Sequence, residues 1–440
     1  TLMDQWLIVL IMVTGLLTLL ATGLPIAFSL GFVSVSLLLL LEGWGGIDAI
    51  FFTAYGISTS FTLAAVPLFI FMGNLIYHSG VGRDVYDLAS KWLGWLPGGL
   101  ATATVGACGI FGAMSGSALA GSATIGVVAI PEMQRKGYRR DLSLGSVAAA
   151  GGLAALIPPS VAMILYGDIS DNSIGSLFIA GILPGIVVMI VFSMYHLWVG
   201  VRYPQAAPRE PGVPWGERLQ ALRSLWAPVM LIIIVIGSIY TGMATPTESA
   251  AVGALGAFLI LTMKHRGLRL DLVRGGLHDA VTVTGYMLLI LVAAMTFAYV
   301  ATLAYIPQSL TAWMVSLPVN KWVILAMVWA FLIILGMFFD GVSLIVLTTP
   351  LVYPVIVNGL GWDPIWYGVM LVLNIEIGAI TPPVGLHFYV VKGLTPNTPM
   401  IDVIRGCFPY VILFHVVVAI IAAFPWLATW LPSTMMKVGN

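Results

Sequence analysis

The sequence predicts an all-α polytopic membrane protein, and three observations predict it: long apolar runs without basic residues, a very low charge content, and Lys and Arg gathered into a few clusters. Of 440 residues, 60% are hydrophobic and 8% charged, where a soluble domain carries roughly 25% charged residues. Mean hydropathy is +1.04. The runs 6–41, 174–201 and 281–305 hold no Lys or Arg, and each exceeds the ~20 residues a helix needs to cross a bilayer core. A formal net charge of zero offers nothing to nucleic acid. Cys108 and Cys407 both lie in apolar stretches, the setting of small buried residues rather than of a disulfide or metal site. The first apolar segment has neither a basic leader nor a small-residue cleavage signal, so it reads as a span.

Basic residues mark the cytoplasmic side of a membrane protein. Here they fall at Arg83 and Lys91; at Arg135, Lys136, Arg139 and Arg140; at 202–223; at 264–274; and at Lys392 and Arg405. With those clusters inside, the N-terminus lies outside, and spans follow near 5–22, 23–41 and 61–81. The next apolar stretch, about 98–131, has basic flanks on both sides, so it enters and leaves from one face as a helical hairpin. Irregular backbone at that depth must be buried or line a cavity. Spans near 143–167 and 176–201 complete a first half, residues 1–202. After a linker, 203–224, the second half (225–440) repeats the plan in the opposite sense. Its spans lie near 226–243, 244–263 and 281–305, its hairpin at about 322–357, and further spans near 365–391 and 407–431. Tryptophans at span ends, among them Trp6, Trp44, Trp92, Trp95, Trp322, Trp426 and Trp430, read as interfacial anchors.

The halves also match in their helix breakers. Pro25 corresponds to Pro246, Ser115-Gly116 to Asp340-Gly341, Pro158-Pro159 to Pro382-Pro383, and Gly181 with Pro184 to Gly406 with Pro409, at offsets of 221 to 225. Five crossings per half make the copies antiparallel, an inverted repeat with its binding sites near the midplane. A duplicated bundle serving only as architecture is the plainer alternative.

Two kinds of position carry chemistry. The first tip, Gly-Ala-Met-Ser-Gly-Ser at 112–117, offers hydroxyls and carbonyls, hard oxygen ligands suited to an alkali cation, although small residues equally serve close helix packing. The second tip holds Asp340, Gly341 and Ser343, with Thr348 beyond. A carboxylate at membrane depth costs roughly 3 kcal/mol unless it is paired, so Asp340 calls for a bound cation, a proton or a positive partner. A Pro-Pro pair follows each tip inside an apolar span and breaks the helix. The break frees carbonyls for a cation and presents a half-helix N-terminus to an anion. Ser160 flanks the first break; Thr381 and Gly385 flank the second. Glu248 is as well placed to cap a helix as to act in transport. Glu376, near Asn374, and the lone His387 admit structural readings too, and Asp168 and Asp171 read as an outside loop. No HExxH, Walker A or Cys/His cluster is present, so neither zinc hydrolysis nor ATP-driven pumping is expected.

The motifs Gly-Ala-Met-Ser-Gly-Ser (112–117), Ile-Pro-Pro-Ser (157–160), Ala-Thr-Pro-Thr-Glu-Ser-Ala (244–250), Phe-Phe-Asp-Gly (338–341) and Ile-Thr-Pro-Pro-Val-Gly (380–385) resemble those of the large membrane subunit of tripartite ATP-independent periplasmic (TRAP) transporters, the DctM-type permease. The resemblance implies an elevator-type secondary carrier in the bacterial inner membrane, with Na⁺ as coupling ion, no organic cofactor, and a small organic anion as substrate, such as a C4-dicarboxylate or sialic acid. It implies two partners, a small four-helix membrane subunit on a separate chain and a periplasmic substrate-binding protein. Carried over by motif, Ser115, Gly116, Ser117, Pro158 and Ser160 form a first sodium site. Asp340, Gly341, Ser343, Thr381, Pro382 and Gly385 form a second. Ser117, Pro159, Ser160, Thr348 and Pro383 contact substrate. The competing readings are a stand-alone divalent-anion/sodium symporter and a non-transporting scaffold.

Overall fold

The computed structural model describes residues 5–435, and every regular element among them is helical. The first helices are α1 (Gln5–Ala21) and α2 (Ile26–Glu42), separated where Pro25 cannot donate to a continuing helix. The expected outside loop 42–60 is instead a short 3-10 turn followed by α3 (Asp48–Thr59), which buries no side chain fully. Next come α4 (Ala65–His78) and α5 (Val81–Leu93), bent 66° from each other. The first helix pair is α6 (Gly99–Ser115) and α7 (Ala118–Arg135). The first broken helix is α8 (Arg140–Leu156) and α9 (Val161–Ser170), bent 41°. The long α10 (Ile174–Arg202) closes the first half.

The second half runs α11 (Trp215–Tyr240), α12 (Pro246–Lys264), α13 (Leu270–Leu303), α14 (Ile306–Ser316), α15 (Lys321–Gly336) and α16 (Gly341–Gly359). It ends with α17 (Pro364–Ala379), α18 (Leu386–Leu394), α19 (Met400–Ala423) and α20 (Trp426–Ser433). Several starts are written in the sequence. Thr245 and Glu248 form a reciprocal capping box ahead of Pro246, which gives Glu248 its structural role. Asp363 caps α17 by accepting the Trp366 N–H at 2.8 Å, with Pro364 opening the helix. Two boundaries differ from expectation. Helix α11 takes in the second part of the 203–224 linker, and the single span expected at 407–431 is two helices parted at Pro425. Among the described residues, seven helices are long and apolar enough to cross a membrane, and each of the two bent pairs meets the same measure when joined.

Packing sorts the helices into two groups. Helices α2, α3, α4, α12 and α13 pack on one another as a frame. Helices α6–α10 and α15–α19 form a core, joined to the frame through α4 against α6 and α13 against α16. Within the core, α6 packs on α8, and α15 on α17. The half-helix beyond each break crosses to the other half: α9 packs on α16, and α18 on α7. Glycine permits the tightest approaches. A Cβ on Gly112 would lie 2.7 Å from the Ala154 Cα, and one on Gly378 would lie 2.7 Å from the Gly336 Cα.

The five basic clusters converge through direct contacts. Lys264 pairs with Asp84, and Lys136 with Glu210. The Arg140 guanidinium reaches the Thr398 hydroxyl at 2.5 Å. The connector 203–214 is strapped down by the Glu210 N–H donating to the Gly94 carbonyl (3.1 Å) and the Arg139 N–H donating to that of Ala206 (2.8 Å). The Trp92 indole donates to the Arg218 carbonyl at 3.1 Å. Nearby, burial pushes the Tyr138 phenol up to about 12, so its hydroxyl stays protonated while it accepts the Leu100 N–H at 3.1 Å.

Candidate transport site

At the first tip, α6 ends on Ser115, Gly116 turns the chain at φ 65°, and Ser117 caps α7 by accepting the Ala120 N–H at 3.4 Å. Positive φ is costly for any residue with a Cβ. Space closes the position as well, because a Cβ on Gly116 would lie 2.7 Å from the Pro159 carbonyl oxygen. The tip therefore sits directly on the first break. Its other side meets the frame, where a Cβ on Gly73 would lie 2.7 Å from the Ser115 carbonyl oxygen. Pro158, Pro159 and Ser160 are all buried. Ser160 caps α9, accepting the Met163 N–H at 3.3 Å while its hydroxyl donates to the Ala155 carbonyl. The Ser115 hydroxyl is buried and has no hydrogen-bond partner. Buried polar atoms are nearly always satisfied, so this oxygen is an opening for a ligand.

The second tip is built differently. Asp340 caps α16, its Oδ2 accepting the N–H groups of Val342 (3.1 Å) and Ser343 (3.3 Å), while the Ser343 hydroxyl donates to Oδ1. The carboxylate is half-buried, and helix dipole and hydroxyl meet part of its charge. The second break is more open: Pro382 and Pro383 are exposed and Thr381 is half-buried, its hydroxyl donating to the Ile377 carbonyl at 2.5 Å. Gly385 begins α18 at φ 58°, where a Cβ would lie 2.4 Å from the Phe388 ring. Both Pro-Pro peptides are cis. Thr348 is buried and spends its hydroxyl on the Leu344 carbonyl at 2.7 Å, whereas the neighbouring Thr349 hydroxyl is buried without a partner.

The structure thus sets Ser115, Gly116 and Ser117 against Pro158–Ser160, and gathers Asp340, Gly341 and Ser343 at one helix start. Gly341 packs on Ile375 of α17, five residues ahead of Ile380 and the second break. Asp168 lies in the last turn of α9 rather than in a loop, and accepts the Ser60 hydroxyl at 3.2 Å. The sequence sets Ser122 and Thr349 beside the two tips without giving either a role, since each is an ordinary hydroxyl of an apolar helix until its neighbours are known. Glu376 and His387, read as structural or open, turn out to face each other. Among the described residues no group of three His, Cys, Asp or Glu could hold a metal ion. What the tips and breaks offer is hydroxyl, carbonyl and carboxylate oxygen, a donor set for alkali cations rather than for zinc.

A many-helix bundle with two tips and two proline breaks collected in one core defines a polytopic membrane protein of the carrier type. Comparison with known proteins makes the class specific. The chain belongs to the family described as "Tripartite ATP-independent periplasmic transporter, DctM component", which it matches over residues 13–427. It is 34% identical to the C4-dicarboxylate TRAP transporter large permease protein DctM of Vibrio cholerae, over 94% of this chain and 95% of that one. It is 32% identical to the sialic acid TRAP transporter large permease protein SiaM of the same organism, over 97% and 99%. Among solved structures, the YdaH transporter of Alcanivorax borkumensis shares the fold, with a TM-score of 0.62, 16% identity, and coverage of 88% of this chain and 90% of that one. The protein is accordingly a membrane-embedded large permease subunit of a tripartite transporter and not an enzyme.

Proposed function

We propose that this chain imports a small organic anion, a C4-dicarboxylate, sialic acid or similar carboxylate, in symport with Na⁺. It sits in the bacterial inner membrane with its N-terminus periplasmic, beside a small four-helix membrane subunit, and receives substrate from a periplasmic binding protein. Residues 1–202 and 225–440 act as inverted repeats whose hairpins, near 98–131 and 322–357, enter from opposite faces. The core of tips and broken helices moves as an elevator against the frame.

The observation that carries this reading is the first tip, where the Ser115 hydroxyl is buried and unpartnered while Gly116 leans on the Pro159 carbonyl. One cation coordinated there would satisfy the hydroxyl and use the carbonyls that the break frees. Ser115, Gly116, Ser117, Pro158 and Ser160 would hold it. Asp340, Gly341, Ser343, Thr381, Pro382 and Gly385 would hold a second, drawn by the one carboxylate at a tip. Ser117, Thr348, Pro159, Ser160 and Pro383 remain the substrate contacts, with half-helix N-termini facing the anion. In the core helices α6–α9 and α15–α18, Lys and Arg stand only in a first or last turn, at Arg135, Arg140, Lys321 and Lys392, so bound cations are the available countercharge for an anion. Relatives named for a dicarboxylate and for sialic acid support the substrate class.

The test is uptake into liposomes containing the complete complex, supplied with binding protein and a panel of labelled carboxylates. An inward sodium gradient is expected to drive accumulation, and replacing sodium by choline is expected to abolish it. Uptake indifferent to that replacement would overturn the coupling.

A further inference from the structure

One set of ionisable side chains is enclosed by the core and has no part in the roles above. Glu376, on α17 before the second break, holds Oε2 3.3 Å from Nε2 of His387, on α18 beyond it. The other ring nitrogen of His387 lies 2.8 Å from the hydroxyl of Ser122 on α7. Their exposures are 4%, 1% and 0%. Two glycines of the kinked α8 make the room. A Cβ on Gly152 would lie 2.5 Å from Glu376 Oε2, and one on Gly151 would lie 1.7 Å from Ser122 Oγ. The contact from His387 is not aligned as a hydrogen bond, and Oε2 has no other donor. A buried carboxylate so thinly supported costs more than the apolar packing that could replace it, so packing alone does not account for it.

The three residues link the places where ions are proposed to bind. Ser122 is five residues beyond the Ser117 cap, Glu376 five before Thr381, and His387 two after Gly385. Glu376 and His387 therefore staple the half-helices across the second break, and Ser122 ties the staple to the hairpin of the other half. The reciprocal crossing, α9 on α16, lacks such a link: Ala162 stands two residues after the Ser160 cap, where His387 stands after Gly385. Gly152 and Glu376 each lie two residues before the close-packed Ala154 and Gly378, and they touch each other. The link thus runs through the place where equivalent parts of the two halves meet.

We propose that Ser122, His387 and Glu376 form a positioning relay that couples the two cation sites, so that filling the second break steadies the first hairpin and the reverse. They bind neither ion nor substrate themselves. The inference rests on the sodium-coupled reading above. Coupling of this kind is reciprocal and reads out as steepness in the binding curve.

The experiment measures initial uptake against sodium concentration for the reconstituted complex, as wild type, Ser122→Ala, Glu376→Gln and the double variant. Wild type is expected to respond sigmoidally. Each single variant is expected to lose that steepness and to need at least about fivefold more sodium for half-activation, the lower end of usual site-to-site couplings. The maximal rate at saturating sodium is expected to stay within about twofold, since no ligand is removed. Because one relay is broken in either case, the double variant is expected to match the worse single variant rather than add the two effects. If a variant gives no folded complex, His387→Asn takes its place, being too short to bridge both partners. Unchanged steepness, a fall in maximal rate alone, additive effects, or a wild-type curve without steepness would each overturn the relay. Wild-type uptake that ignores sodium would overturn the proposed function itself, and so separates the two failures.

Discussion

Asp340 and Gly116 show how much hangs on single positions at the tips. Asp340 both caps α16 and carries the negative charge proposed to attract sodium. Asparagine caps a helix about as well as aspartate, whereas alanine loses about 1 kcal/mol. Asp340→Asn should therefore leave the melting temperature of the purified complex nearly unchanged and weaken sodium activation of uptake. An Asn variant with a wild-type sodium titration would remove the carboxylate from the ion site. For Gly116→Ala, the left-handed backbone costs about 1–2 kcal/mol, and the new Cβ would meet the Pro159 carbonyl at 2.7 Å. Uptake is expected to collapse. Gly23→Ala is the control, with φ 86° but nothing within 4 Å; it should lower the melting temperature modestly and leave sodium dependence intact. The turn at Gly116 was legible because glycine between small polar residues interrupts an apolar run. The contact of Gly116 with Pro159 was not, since no local pattern states which break a tip will meet.

Elements were legible where apolar runs were long and their punctuation strong. Pro25, the Thr245–Glu248 box and Asp363-Pro364 announce helix starts that the structure contains. Helices α3, α5 and α14 were missed for a physical reason. Each is short, and α5 is amphipathic, with Arg83, Asp84, Asp87 and Lys91 on a helix that also buries Val85, Tyr86 and Leu88. Read for charge alone, it looked like a loop flank. Within the linker expected at 203–224, the connector 203–214 is strapped by backbone bonds to Gly94 at the end of α5 and Arg139 at the start of α8, and by the Lys136–Glu210 pair. That pair is partly exposed, at 35% and 18% of the side chains, and partly exposed pairs contribute about 0.2–1 kcal/mol. Glu210→Ala should thus lower the melting temperature by only a few degrees, and high salt should narrow the difference. A large loss that salt leaves untouched would mean that the strap depends on Glu210 for something other than charge.

At the scale of the whole molecule, the fold class followed from composition, whereas the full set of helices and the pairings that make the core did not. Packing of α9 on α16 and of α18 on α7 joins segments far apart in sequence, and apolar helix faces do not name their partners. The division into frame and core yields a direct test of the proposed motion. Ser60, in the loop leading to α4, and Asp168 on α9 lie across it, with Oγ and Oδ1 3.2 Å apart. In a background lacking Cys108 and Cys407, cysteines at 60 and 168 should cross-link on oxidation and arrest uptake, and reductant should restore it. Transport undiminished in the fully cross-linked protein would refute a sliding core. The carboxylate at the second tip has an electrical consequence. Asp340 is held by the Val342 and Ser343 N–H groups and the Ser343 hydroxyl, with no basic side chain among these partners, so an ionised Asp340 gives the empty second tip one negative charge, which each bound cation or substrate carboxylate changes by one. An inside-negative voltage, worth about 2.3 kcal/mol per charge per 100 mV, would then push the unloaded tip outward and act on the loaded one according to the summed charge of its ions and substrate. Polarising the membrane should accordingly speed recovery between turnovers, whereas its effect on delivery should differ between singly and doubly charged substrates.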